Sequence, residues 1–266
     1  MNCMSQSVTW CVQTNLSGES FDKISQACQE LGNNCVGFKI IPFLDKMPRI
    51  GVKGPFVLIG STTMNRASVK SRKYSQGIFF NPKKFRPTEY ARHYGADYFN
   101  HDLRVTSLKE LDESDYDLNT ELFIRVNDDS KQVSGGTVFF SDLLNLKSST
   151  EEHWVGGDIF TPDTEICIAS VKPIDAEWRL VIVSGRVVAA SRYRPTISAD
   201  VPREVIDFGN RMAYRWTPHD VCVMDVCASE DQLYVLECNC FNGSGFYAAD
   251  LKSIITAVSE YQASRA

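Results

Sequence analysis

The chain lacks several features, and each absence narrows what it can be. No apolar run approaches the roughly 18 residues that a membrane span needs, so no transmembrane segment is expected. The stretch Met1 to Trp10 has no basic segment followed by an apolar one, which predicts no signal peptide. Histidine is scarce: His93, His101, His153 and His219 show no ligand-like spacing. Nine cysteines are present, but the number is odd and they are scattered. Cys238 and Cys240 are too close for a zinc pair and no second knuckle follows. Without an export signal, this pattern predicts reduced, structural thiols in a cytoplasm. Internal repeats and low-complexity segments are absent too.

The 266 residues suit one large domain or two modest ones. A hydrophobic fraction of 43% with 23% charged residues is the balance of a chain that buries an ordinary core. Net charge is -5, which disfavours a nucleic-acid partner for the molecule as a whole. The charge is unevenly spread. Arg66, Lys70, Arg72, Lys73, Lys83, Lys84 and Arg86 follow one another without an acid, with Tyr74, Phe79, Phe80 and Phe85 among them. This stretch reads as a solvated face or as a docking surface for an anionic partner, so nucleic acid stays open there. Glu110 to Asp129 is strongly acidic.

The first third alternates between helix and strand. Phe21, Ile24, Ala27, Cys28 and Leu31 form a helical stripe over Glu19 to Leu31, and Gly32 fits the helix C-terminus. Cys35 to Ile41, Phe56 to Ile59 and the short Ile78 to Phe80 read as strands. Ser107 and Glu110 resemble a capping box. A small α/β domain is expected over 1–115, with Asp112 to Asn119 as a linker into 116–266. Paired strands follow: Leu122 to Val126 with Lys131 to Val133, Glu177 to Val183 with Arg186 to Arg192, and Val221 to Cys227 with Leu233 to Cys238. Two amphipathic helices are expected, one starting near Pro202 and one near Phe246.

Two of the hairpins carry chemistry. If the last turns about Asp231, Asp225 faces Glu237, and Asn239 shares the face of Glu237. Two carboxylates on neighbouring strands repel, and a divalent cation on these hard oxygen donors would remove the repulsion. A solvent-facing pair, or a register that separates them, is the alternative. In the hairpin turning at Ser184-Gly185, Val183 opposite Arg186 places Ala190 across from Arg179 and Arg192 across from Glu177. Glu177, Arg179 and Arg192 then share a face, as a directed anion site or as a surface ion-pair ladder. Arg125 and Lys131 approach each other if their turn centres on Asp128, and Gly135-Gly136 follows.

FIRVNDDSKQVSGG, EWRLVIVSGRVVAASRY, MDVC and LECNCFNGSGFY, in this order, resemble the ATP-grasp superfamily. The match is to a divergent clade marked by two arginines and a lysine. It has phage and bacterial members and includes the eukaryotic proteins that help assemble a translation initiation factor. The resemblance covers about half the chain, from Leu122 onward. It implies an α+β ATP-grasp fold, two α+β subdomains gripping ATP, preceded by a small α/β pre-ATP-grasp domain. Arg125 and Lys131 then resemble the phosphate-gripping pair, Arg125 standing where most of the superfamily has lysine. Ser170 and Val171 resemble the hinge that reads adenine, with Glu177 also at the nucleotide. Arg179 and Arg192 resemble the clade's two catalytic arginines, and Asp225, Glu237 and Asn239 resemble its magnesium ligands.

The activity so implied is an ATP- and Mg2+-dependent carboxylate–amine ligase that forms an amide through an acyl phosphate. A protein or peptide is one candidate substrate. The alternative is an ATP-binding assembly chaperone that forms no bond.

Overall fold

The structure, a computed structural model, describes residues 7–16, 20–41, 44, 46–128, 135–148, 153–155 and 158–265. The N-terminal alternation forms a three-stranded parallel sheet. Its centre is β1 (Thr9–Gln13), flanked by β2 (Asn34–Phe38) and β3 (Phe56–Ile59). Helix α1 (Ser20–Glu30) links β1 to β2, and Gly32 lies beyond its end at φ 72. Helix α2 (Thr62–Val69) follows β3, with the Ser61 side chain accepting from the Met64 amide. The sequence reading overlooked β1, whose five residues are all buried. A strand buried on both faces shows no alternation to detect. Conversely, the strand expected at Ile78 to Phe80 does not form. Those residues run as a loop, held where the Phe79 amide donates to Asn242 Oδ1 at 2.7 Å.

After α3 (Pro87–Tyr94) come β4 (Arg104–Ser107), β5 (Glu121–Val126), β6 (Gly136–Phe139), α4 (Phe140–Ser148), β7 (His153–Val155), β8 (Asp158–Phe160) and β9 (Glu165–Ser170). Four of these strands form an antiparallel sheet in the order β4-β9-β5-β6. The Ser107–Glu110 capping box is present over a single 3-10 turn. Strand β5 pairs on one side with β6, Ile124 lying opposite Gly136, and on the other with β9; the strand expected at Lys131 to Val133 lies outside the described residues.

Strands β10 (Ala176–Val183) and β11 (Arg186–Arg194) form a hairpin closed by Ser184 and Gly185, at φ 50 and 75. Positive φ at both positions matches the twist of the flanking strands. Helix α5 (Arg203–Arg215) starts after Pro202 and buries Val205, Phe208 and Met212. A second tight turn, Glu230-Asp231, joins β12 (Val221–Ser229) to β13 (Gln232–Asn239). Helix α6 (Leu251–Ala263) begins later than Phe246. Asp250 caps it, accepting from the Lys252 and Ser253 amides, and a cap outranks an apolar residue as a start signal. The sheet order is β11-β10-β12-β13.

The chain forms two compact units from non-consecutive segments. The first holds Met1–Asn81, Ala176–Val226 and Cys238–Ala266; the second holds Pro82–Asp175 and Cys227–Glu237. In the first unit Trp10, Val12 and Ile24 share a core with Val181, Val223 and Ile254. In the second, Leu108, Leu122, Ile124, Phe140 and Ile168 form the centre. The described cysteines form no disulfide, and all but Cys35 are buried. Burial pushes the Cys11 and Cys167 thiols up to about 12, as structural thiols require. Among the described residues no helix is long and apolar enough to cross a membrane.

Candidate functional site

The first unit centres its polar chemistry on Asp225, which is 1% exposed on β12. Arg179 on β10 grips both carboxylate oxygens: Nε donates to Oδ1 at 2.9 Å and Nη2 to Oδ2 at 2.8 Å. Nη1 donates to the Gly245 carbonyl at 3.1 Å. The Asn239 amide donates to Asp225 Oδ2 at 3.1 Å. Burial opposes a charge on Arg179, but the Asp225 carboxylate outweighs it and holds the guanidinium in its charged form. Two aromatic rings complete the cluster. Tyr193 and Tyr247 stack with centroids 5.1 Å apart, and the guanidinium lies 5.6 and 5.0 Å from them. Tyr247 has φ 49, an unusual value for a residue other than glycine. The sequence carried no signal for this stack.

Glu177 is buried beside this cluster on β10. The expected register put Arg192 opposite it, and the structure corrects this. The hairpin begins as expected, with Val183 opposite Arg186. A bulge follows, after which Val181 pairs with Ala189, Leu180 with Ala190 and Arg179 with Ser191. The extra residue moves Arg192 opposite Trp178, and a second shift sets Arg194 opposite Glu177. One residue of slip exchanges the faces. Tyr193 now shares the Arg179 face, and its hydroxyl donates to Glu177. Arg194 pairs with Glu177 at 3.0 Å. Arg192 instead donates to Thr196, through Nε to its carbonyl (3.2 Å) and through Nη2 to its hydroxyl (3.1 Å).

In the second unit, Arg125 on β5 donates to Glu237 on β13 at 3.0 Å. Its Nε is buried without a hydrogen-bond partner. Burial opposes its charge, and Glu237 restores it. Ser170, the last residue of β9, donates its amide (2.9 Å) and its hydroxyl to Asp102, which also pairs with Lys172 at 2.6 Å. The Val171 side chain is exposed.

These carboxylates are thus matched by arginines, Asp225 by Arg179 and Glu237 by Arg125. Among the described residues no group of three His, Cys, Asp or Glu side chains could hold a metal. The magnesium set expected on this hairpin adds the Asn239 amide to Asp225 and Glu237. The donor chemistry fits, since two carboxylates and an amide oxygen are hard ligands. Glu237 and Asn239, two residues apart on β13, also lie on one face.

The basic stretch Arg66 to Arg86 is corrected in part. All seven cations are exposed, but Tyr74, Phe79 and Phe85 are buried core residues and offer no stacking surface. The boundary at Asn81 divides the seven cations between the two units.

No curated protein sequence matches this chain. Solved structures with the same fold include the ATP-grasp ligase PsnB complexed with a minimal precursor, at TM-score 0.59 and 13% identity, covering 96% of this chain and 99% of that one. D-alanine–D-alanine ligase from Bacillus anthracis, complexed with ATP, aligns at TM-score 0.60 and 12% identity over 97% of each chain. The macrocyclase MdnC from Microcystis aeruginosa MRC, bound to the precursor peptide MdnA, gives 0.57 and 14% over 97% and 99%. At such identities the likeness shows the fold, which is that of ATP-grasp ligases. The model for the ATP-grasp domain of the third family in the clade named for two arginines and a lysine matches residues 53–258, and the chain belongs to that family.

Proposed function

We propose that the chain is an ATP- and magnesium-dependent ligase that joins a carboxylate to an amine through an acyl phosphate. The observation that carries this reading is the buried Asp225 held by both the Arg179 fork and the Asn239 amide. A buried carboxylate, a bidentate guanidinium and an amide in direct contact suit a site that exchanges charge partners. Magnesium on Asp225, Glu237 and Asn239 would neutralise phosphate charge when bound. Arg179, turned from Asp225 to an incoming anion, would stabilise the transferring group. Tyr193 and Tyr247 keep its plane fixed, and Glu177, braced by Arg194, fixes Tyr193. Arg125, with its vacant Nε donor, grips phosphate together with Lys131. Adenine is read at Val171, because Asp102 already engages the Ser170 amide. Arg192 acts indirectly, through the turn at Thr196. Residues 1–115 serve as the pre-ATP-grasp segment and 116–266 as the ATP-grasp part, and both compact units draw on both segments.

A protein or peptide is the proposed acceptor, since PsnB and MdnC are solved with precursor peptides. Calorimetry with a non-hydrolysable ATP analogue tests the nucleotide and metal assignment. Affinity should fall sharply when magnesium is chelated, and equal affinity with and without magnesium would sink it. Release of ADP and phosphate in step with an amide product tests the ligase step.

A further inference from the structure

The first unit contains a cavity of about 600 Å³ lined by part of residues 39–49 together with Lys73 and Tyr74. None of these residues belongs to the proposed nucleotide or metal set. Four exposed cations surround it: Lys39, Lys46, Arg49 and Lys73. None forms an ion pair with the carboxylate of a described residue, and 39–49 has three cations to a single acid, Asp45. The floor is apolar, with Met47 at 9% exposure and Tyr74 at 6%. Ile41 and Leu44 line the cavity with their side chains exposed. Branched apolar side chains left in water among exposed cations mark a surface that gains from being covered.

The covering partner must bring carboxylates and aliphatic groups together. A nucleic acid would bring phosphates and bases, and bases need an open aromatic face. Tyr74 offers none: its hydroxyl accepts from the Ile50 amide at 2.8 Å, and the Lys73 ammonium lies 5.2 Å from its ring centroid. Lys73 is fixed there by donating to the Ile50 carbonyl at 3.2 Å. We propose that this cavity docks an acidic peptide segment, with its carboxylates on Lys39, Lys46, Arg49 and Lys73 and an aliphatic side chain on Ile41, Leu44 and Met47. The inference goes beyond the ligase reading, because docking requires neither ATP nor bond formation.

The test is fluorescence anisotropy of the full chain with a labelled synthetic peptide of alternating glutamate and leucine. Saturable binding that weakens with salt is expected. Lys46→Glu combined with Arg49→Glu should weaken it about tenfold, with unchanged affinity for the ATP analogue and an unchanged circular dichroism spectrum. Ile41→Ser leaves every charge in place and should weaken the peptide severalfold without altering its salt dependence. Three results overturn the proposal: no saturable binding, equal binding by the charge-reversed variant, or equal binding of an oligothymidylate of matched charge. Loss of ATP-analogue affinity in wild type would sink the ligase reading and leave docking standing.

Discussion

A buried carboxylate is costly unless it is matched, and Asp225 is matched by Arg179 and by Asn239. Removing the guanidinium outright would strand that charge at a cost of about 3–5 kcal/mol, which would confuse stability with catalysis. Arg179→Lys keeps the charge and loses the planar fork. We expect turnover to fall about a hundredfold with a small change in nucleotide affinity; steady-state kinetics beside calorimetry will show whether the loss is in binding instead. A second residue ties backbone segments together. Asn242 sits at the end of the LECNCFN run, fully buried. Its amide donates to the Leu58 carbonyl (2.6 Å) and the Gly77 carbonyl (2.9 Å), and its oxygen accepts from the Phe79 amide. Asn242→Ala would leave three backbone groups without these partners, for a loss of about 3 kcal/mol in urea denaturation. A loss below a tenth of that would mean the loops hold themselves.

The β10–β11 hairpin shows how much one element decides. Its two register shifts place Tyr193 and Arg194, not Arg192, at Glu177. Helix α5 packs closely on the same hairpin through Gly209, where a Cβ would come within 2.2 Å of Leu180 Cδ2 and 3.1 Å of Val187 Cγ2. Alanine would gain about 1 kcal/mol in helix propensity, but crowding a buried leucine costs about 1–3 kcal/mol. We therefore expect Gly209→Ala to lower the melting temperature, and a rise would show that the helix can shift outward. Strand β9 ends in a pH-sensitive clamp. Burial raises the Asp102 carboxyl, but Lys172 and Ser170 outweigh it and hold the value at about 2, below the ordinary 3.8. A depressed folded value contributes stability that is complete above the unfolded value and fades as pH falls towards 2. The difference in denaturation midpoint between the chain and Asp102→Asn should stay constant above about pH 5 and shrink as acid is added below it. A difference that persists unchanged at pH 2 would rule the clamp out.

At the scale of the molecule, binding is read as stability. A ligand that binds only the folded chain raises its stability by about 2.7 kcal/mol at a hundredfold excess over Kd. In the ligase reading, nucleotide and magnesium bind as one complex. ATP analogue and magnesium together should therefore raise the melting temperature more than the sum of their separate effects, and simple additivity would argue that they bind independently. Lys131→Ala should reduce that rise, because its expected contact is with ground-state phosphate.

How much was legible follows from how each feature is encoded. The two tight turns, the Ser107–Glu110 box, helices α1 and α5 and the strand β3 depend on local propensity and periodicity, which a sequence displays directly. Strand β1 is buried on both faces and left no period to find. Phe79 looked like part of a strand, and in the structure it lies in a loop whose Phe79 amide donates over long range to Asn242. The ATP-grasp order of basic, arginine and carboxylate strands was readable because catalytic chemistry fixes residue type. The pairing of those residues was not, because two register shifts, one at Val188 and one at Tyr193, outweigh any count from the turn. By itself the sequence determined the family, the turns and the candidate ligands. Only the tertiary structure decided which arginine meets which carboxylate, since side-chain face along a strand depends on every residue between it and the turn.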